Sequence, residues 1–191
     1  MKITSGIYKY RNIEVPKSAR PTTGKVREAV FSMITAWIPG ASVLDLFAGS
    51  GAMGLEALSR GADHCIFCET DRKTLRILDG NIRSCGAGES CEVIGKDFRA
   101  AISSIAADAR GAAAFDIVIL DPPYAETGYY GEAIEALLQN GLLGEGSVVV
   151  AEHLYDNKLP ETYTCMKRIR EKKYGNIGVD LYIMENDASG Q

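Results

Sequence analysis

Residues 43–54 read Val43-Leu44-Asp45-Leu46-Phe47-Ala48-Gly49-Ser50-Gly51-Ala52-Met53-Gly54. They carry a buried strand straight into a glycine turn. Val43, Leu44, Leu46 and Phe47 are apolar without strict alternation, the pattern of a parallel strand covered on both faces. Gly49, Ser50 and Gly51 allow the chain to turn tightly and to approach a ligand. The spacing predicts a helix from about residue 52 to 60, with its free N–H groups directed over the turn. This stretch therefore reads as a cradle for a small molecule at the end of a strand.

Gly49-x-Gly51-x-x-Gly54 also satisfies the dinucleotide fingerprint, and Glu69 stands at the roughly 20-residue spacing of a ribose-binding acid. Asp45 argues otherwise, because it places an acid within an apolar strand four residues before Gly49. A buried carboxylate is costly unless paired, and it repels a pyrophosphate. S-adenosylmethionine carries an ammonium group and a sulfonium but no phosphate, so it suits this acid better. The alternative is a structural aspartate that accepts backbone N–H groups of the turn.

Outward from the cradle, strand and helix patterns alternate. Strands are predicted at 43–47, 64–69, 91–95, 116–120 and 147–152, with helices near 52–60, 71–85, 97–108 and 130–140. Such alternation implies βαβ units and a doubly wound parallel sheet, with ligands at the carboxyl ends of its strands. Asp45, Glu69, Asp97, Asp121 and Glu152 all fall at or just past those ends. Residues 166–174 and 179–185 read as an antiparallel hairpin joined by Gly175-Asn176-Ile177-Gly178. Upstream, residues 2–15 suggest a β-hairpin arm, Pro16 and Pro21 bracket a loop, and Thr22 or Thr23 can cap a helix that ends before Pro39-Gly40. The division expected is an arm at 1–20 and a catalytic domain at 21–186.

With 191 residues, 46% of them hydrophobic and 24% charged, the chain suits one domain with a substantial core. The N-terminus lacks the apolar stretch of a signal peptide, and no run approaches the length of a spanning helix, so a cytoplasmic protein without membrane partners is expected. Five cysteines, an odd number, are expected as free thiols. Cys65 and Cys68 lie in a strand, where residues three apart point to opposite faces, so no metal site is expected there. The net charge is −4, yet residues 1–27 hold seven Lys/Arg against the single acid Glu14. That basic end is a candidate phosphate-contacting surface. Lys25 and Arg27 sit where a helix dipole favours acids, which suggests an anion partner near that helix start or two solvated cations.

The second chemical motif is Asp121-Pro122-Pro123-Tyr124, after the apolar run Phe115–Leu120. Two prolines donate no backbone hydrogen bonds and hold the chain extended, so their carbonyls face outward. Asp121 and the Pro122 carbonyl can each accept one N–H of a planar amine and steer its lone pair toward an electrophile. The Tyr124 ring offers a stacking face.

On these residues the chain resembles a class I S-adenosylmethionine-dependent methyltransferase. Within that class it resembles the RsmD family, which methylates the 2-amino group of a guanine in small-subunit (16S) ribosomal RNA. The matching stretches are Arg20-Pro21-Thr22-Thr23 with Val26-Arg27-Glu28 and Phe31, Leu44 through Arg60, Glu69, Asp71 and Asp121-Pro122-Pro123-Tyr124. The resemblance implies a Rossmann-like α/β fold, a mostly parallel seven-stranded sheet with a C-terminal antiparallel hairpin, and an N-terminal hairpin arm. It implies that Asp45, Gly49 and Gly51 hold the methionine end of the cofactor, with Phe47 and Ser50 of the same turn in that site. Glu69 would take the ribose hydroxyls and Asp97 the adenine amine, with Phe98 lining that pocket. Asp121, itself also beside the cofactor, Pro122, Pro123 and Tyr124 would position and stack the guanine. Lys9, Arg11, Arg20, Lys25 and Arg27 would contact RNA through its phosphates, which set affinity and leave sequence choice to other groups. The partner implied is 16S rRNA within an assembling small subunit.

Rival readings are a methyltransferase acting on DNA adenine or cytosine or on protein glutamine, a nicotinamide-dependent oxidoreductase, and a non-catalytic RNA-binding scaffold. No separate target-recognition region of the size DNA enzymes carry is evident, and Asp45 disfavours a dinucleotide.

Overall fold

The computed structural model describes residues 1–16, 24–108 and 114–184. Thr22 and Thr23, the expected helix caps, lie outside the described residues, as does Arg20.

The elements in order are α1 (Gly24–Met33), β1 (Ser42–Asp45), α2 (Ala52–Ser59), β2 (His64–Cys68), α3 (Arg72–Cys85), β3 (Cys91–Ile94), α4 (Phe98–Ala107), β4 (Ile117–Leu120), α5 (Tyr129–Gln139), β5 (Val148–Leu154), β6 (Thr162–Tyr163), β7 (Met166–Tyr174) and β8 (Ile177–Met184). The expected alternation is present, with boundaries within a few residues. They build one eight-stranded sheet in the order β3-β2-β1-β4-β5-β8-β7-β6. β3 through β5 pair in parallel, and β8, β7 and β6 run antiparallel.

Eight strands replace the seven expected. The addition is β6, two residues that pair with Met166 and Lys167, too short to show a period in sequence. The β7–β8 turn is also tighter than expected: Tyr174 pairs with Ile177, which leaves Gly175 and Asn176 as the loop. Gly175 has φ +64°, as a two-residue hairpin with glycine first requires.

Apolar strand residues feed two cores. On one face Val43, Phe67, Ile117, Ile119 and Val150 pack with Val30, Phe31, Leu55 and Leu78 of α1, α2 and α3. On the other Leu44, Val118, Leu120 and Ala151 pack with Ile102 of α4 and Ile134 and Leu137 of α5. Each such side chain buried contributes about 1.5–3 kcal/mol. Cys65 and Cys68 fall into different cores, as their spacing predicted, and all five cysteines are free.

The N-terminal segment folds back on itself through one antiparallel bridge, Lys2 to Asn12, with Ile3 N bonded to the Arg11 carbonyl at 3.0 Å, Tyr10 N to the Ile3 carbonyl at 3.0 Å and Ile13 N to the Met1 carbonyl at 2.7 Å. Other donors dock it on the body: Thr4 N and Ser5 N bond the Glu56 carboxylate, and Ile7 N and Tyr8 N bond the Ser59 carbonyl and hydroxyl. Gly6 has φ +78°, and a Cβ there would stand 1.6 Å from the Ser59 carbonyl oxygen, so no other residue fits. The segment is thus docked on α2 by Ile3 and Ile13, both buried, rather than held away from the body.

Arg27 belongs to this docking. It is fully buried, pairs with Glu56 at 3.1 Å, and donates to the Lys2 carbonyl. Arg60 completes the cluster at 2.9 Å from Glu56. Burial alone would raise the Glu56 carboxyl, but the Thr4 hydroxyl and amide, Arg60 and Arg27 outweigh it and hold it below its usual value. The expected role of Arg27 as an RNA contact is therefore corrected. Its anion partner is Glu56, inside the protein.

Candidate active site

Strand order reverses between β1 and β4, which have helices on opposite faces, and this switch point opens a crevice at the carboxyl ends of the strands. A cavity of about 590 Å³ lies there, within the range of small-molecule sites. Its lining comes from each strand end in turn: Phe47 and Gly49 after β1, Glu69 after β2, Asp97 and Phe98 after β3, and Asp121 to Tyr124 after β4.

The glycine turn is held from its base. Gly49 (φ +53°) donates its N–H to Glu69 Oε2 at 3.0 Å. The other Glu69 oxygen accepts from Thr70 N at 2.7 Å and Asp71 N at 2.8 Å. One carboxylate therefore fixes both the cradle and the β2–α3 loop, while its edge still faces the cavity. Asp97 caps α4, with Oδ1 accepting from Arg99 N at 3.0 Å and Ala100 N at 3.3 Å, and it also lines the cavity.

Asp45, Ser50 and Gly51 sit behind the lining instead of on it. Asp45 is 2% exposed, and its Oδ2 accepts from Gly54 N at 3.1 Å. This is the turn-capping contact, so the expected direct hold on a ligand is revised to support from beneath. Burial pushes the Asp45 carboxyl up to about 7; the Gly54 hydrogen bond works against that rise and the Glu69 charge adds to it. The Ser50 carbonyl accepts from Asn81 Nδ2 at 2.8 Å, and a Cβ on Gly51 would strike Leu78 at 2.4 Å.

The two proline carbonyls of the tetrad differ. The Pro123 carbonyl accepts from Glu126 N at 2.8 Å. No described backbone donor takes the Pro122 carbonyl. The Asp121 carboxyl is held well above the usual range by burial, then by the charges of Glu152 and Asp45. The Tyr124 hydroxyl donates to Glu152 Oε1 at 3.2 Å, which fixes the ring from behind. Glu152, noted in sequence only as one of the acids at strand ends, is thus part of the site's support.

Tyr129 and Arg99 were missed. Tyr129 is the first residue of α5, and its ring lies 5.0 Å from Phe98 and 6.2 Å from Phe47, the latter nearly parallel at 16°. Arg99 covers Phe98 at 4.3 Å and Tyr129 at 5.0 Å while paired with Glu132. These rings give the cavity an aromatic wall opposite its carboxylates. Only adjacence to Asp97-Phe98 and to the tetrad loop could have marked them in sequence.

The basic candidates scatter. Lys9, Arg11 and Lys25 are exposed, and Arg27 is internal. The turn carrying Lys9 is bonded to Ser59, at the end of α2 remote from the cradle. An eight-residue helix spans about 12 Å, so that turn lies toward the opposite edge of the sheet from Asp121.

The donor set fits S-adenosylmethionine. Glu69 and Asp97 offer acceptors to hydroxyl and amino groups, the aromatic wall suits a flat base, and Asp45 and Asp121 are two buried carboxyls whose ionised forms a cationic ligand would stabilise. The same acids disfavour a pyrophosphate.

Comparison with known proteins agrees. Residues 1–183 match the family described as conserved hypothetical protein 95. The chain is 35% identical to ribosomal RNA small subunit methyltransferase D of Escherichia coli, covering all of this chain and 92% of that one. It is 37% identical to YlbH of Bacillus subtilis, over 95% of this chain and 98% of that one. Among solved structures, yhhF of Escherichia coli superposes with a TM-score of 0.82 at 32% identity, covering 97% of this chain and 98% of the other.

Proposed function

The chain belongs to the RsmD family, and from that premise we propose that it methylates the exocyclic 2-amino group of a guanine in 16S rRNA, using S-adenosylmethionine. The observation that carries this reading is the placement of Asp121-Pro122-Pro123-Tyr124 on the same cavity as Glu69, Asp97 and Phe98.

When bound, S-adenosylmethionine supplies an electrophilic methyl group on a positively charged sulfur. Glu69 holds ribose hydroxyls and Asp97 the adenine amine, with Phe98 and Tyr129 against the base. Asp45 orients the turn through Gly54 and supplies negative charge below it. Asp121 and the Pro122 carbonyl accept the two N–H groups of the guanine amine. This directs its lone pair into the cavity and counters delocalisation into the ring. Asp121, with its raised proton affinity, is suited to take the proton that the amine must lose. Tyr124 stacks the base, offsetting part of the cost of removing it from its own stack.

The acceptor reading extends to an assembling small subunit, where RNA is already shaped. A chain of net charge −4, with its cations confined to short segments, binds RNA weakly without such a target.

Asp121→Ala should leave cofactor affinity within about twofold while reducing turnover by at least 100-fold, the scale of a lost general base. Tyr124→Ala should raise the acceptor KM, and Tyr124→Phe should retain stacking. Wild-type turnover in Asp121→Ala, measured by methyl transfer to small-subunit particles, contradicts the assignment.

A further inference from the structure

A second concentration of cations lies far from the N-terminus in sequence and on the catalytic edge in space. β7 carries Lys167, Arg168, Arg170, Lys172 and Lys173 against one acid, Glu171, within nine residues.

Topology brings its end to the site. β8 runs antiparallel to β5, with Ile177 opposite Leu154. The β7–β8 turn therefore emerges at the same sheet edge as Asp121 to Tyr124. Two hydrogen bonds join the pieces. Tyr155 N donates to the Asn176 carbonyl at 2.9 Å, tying the loop after β5 to the hairpin tip. Asn157 Nδ2 contacts the Tyr124 carbonyl at 3.5 Å, tying the same loop to the tetrad.

On this surface Lys158 Nζ and Lys173 Nζ lie 3.4 Å and 4.0 Å from the centroid of the Tyr155 ring. Two ammonium groups at one ring repel each other, and Glu171, paired with Lys158, compensates for one of them. Arg170 and Lys172, which the pleat turns to the other face of the same edge strand, opposite Leu181 and Val179, are exposed and have no ion-pair partner among the described residues. β6 and the residue before it cover β7 from Met166 to Arg168, whose N donates to the Glu161 carbonyl at 2.8 Å, so from Arg170 onward that edge has no paired strand among the described residues. From β5 to β7 the surface extends about 10 Å at the usual strand spacing.

We propose that Lys158, Arg170, Lys172 and Lys173, with Tyr155, form the phosphate-contacting ridge for the RNA strand beside the target guanine, and lead that base to Tyr124. This rests on the function proposed above. It moves the acceptor-binding surface from the N-terminal segment, whose turn packs at the opposite edge, to the C-terminal hairpin. Charge complementarity selects the occupant: four cations against the single acid Glu171, which is paired with Lys158, fit a polyanion, and an adjacent aromatic ring fits its bases. The competing explanation is that lysines on an open edge strand only prevent edge-to-edge association.

The test uses the full chain, 16S rRNA and small-subunit particles. A variant with K158Q, R170Q, K172Q and K173Q is compared with a K9Q/R11Q variant. Binding is followed between 50 and 200 mM salt, methyl transfer gives KM and kcat, and calorimetry gives affinity for S-adenosylmethionine. The ridge variant should lower the slope of log K against log salt by about 3, since each single-strand phosphate contact contributes about 0.7. It should raise the acceptor KM at least tenfold, with kcat within about twofold and cofactor affinity unchanged. The K9Q/R11Q variant should have the smaller effect. A ridge variant with wild-type slope and KM overturns the proposal, including the case in which it only self-associates more readily. Failure of the wild-type chain to methylate RNA overturns the functional reading itself, and is told apart because no variant is needed to see it.

Discussion

Replacing Asp45 by Asn should make the protein more stable and a poorer binder of S-adenosylmethionine. The carboxyl is 2% exposed and raised from its usual 3.8 to about 7 by burial. At 1.36 kcal/mol per tenfold, that rise costs about 4 kcal/mol once the group is ionised. The sign follows from proton binding. The folded state holds this proton more tightly than the unfolded chain, so stability is fully present below the unfolded value and is lost as pH rises toward 7. Asn keeps an acceptor for Gly54 N and gives up the stronger charged hydrogen bond, a loss of about 1 kcal/mol. The net gain expected at pH 8 is about 3 kcal/mol, vanishing near pH 4. For a chain of this size that is roughly 6–12 °C in Tm. Thermal unfolding of both proteins from pH 4 to 8 measures it. Calorimetry in buffers of different ionisation enthalpy adds a second readout: ligand binding near pH 7 should release protons from the wild type and fewer from Asp45→Asn. A variant equally or less stable at pH 8, or one that binds the cofactor normally, refutes the reasoning.

Glu69→Ala should weaken cofactor binding by about 1.5–3 kcal/mol and also lower Tm, because Gly49, Thr70 and Asp71 lose their acceptor; unchanged affinity by calorimetry removes Glu69 from the site. Glu152→Gln should move the acidic limb of the pH–rate profile to lower pH, since Glu152 is the main charge, after burial, that raises Asp121; an unmoved limb contradicts Asp121 as the proton acceptor. His153 is buried, with Nδ1 2.8 Å from the Leu154 carbonyl and Nε2 3.5 Å from Asp180 Oδ2. Burial disfavours its charge, but Asp180 and Leu154 outweigh it and the ring is raised above 6.5. Its stabilisation is therefore full below the unfolded value and lost as pH rises through the folded one. His153→Gln should cost about 2 kcal/mol at pH 5.5, with the gap to wild type closing at higher pH; a gap independent of pH excludes the charged ring.

The parallel sheet was legible because each strand is a short apolar run bounded by turn residues, and because acids stand where strands end. Glu69, Asp97 and Asp121 reach one cavity for that topological reason. Asp45 was legible as an anomaly, but its contact with Gly54 was not, since sequence does not show whether a buried carboxylate faces a ligand or a backbone amide. Arg27 was misread because its partner, Glu56, is 29 residues away, and a cation in a first helical turn looks the same whether solvated or buried. β6 was too short to carry a period. The N-terminal segment pairs with itself at Ile3 and Arg11 and at Met1 and Ile13, but its docking on Glu56 and Ser59 is a long-range choice no local pattern records. The basic residues of β7 were read only as a hairpin strand, because their nearness to Tyr124 depends on the antiparallel return of β8.

The most direct measurement is nucleoside mass mapping after incubating the purified chain and labelled S-adenosylmethionine with small-subunit particles that lack this modification. The account predicts label in N2-methylguanosine of 16S rRNA at one position, dependent on Asp121. Label in DNA adenine or cytosine or in protein glutamine, or none in the rRNA, contradicts it.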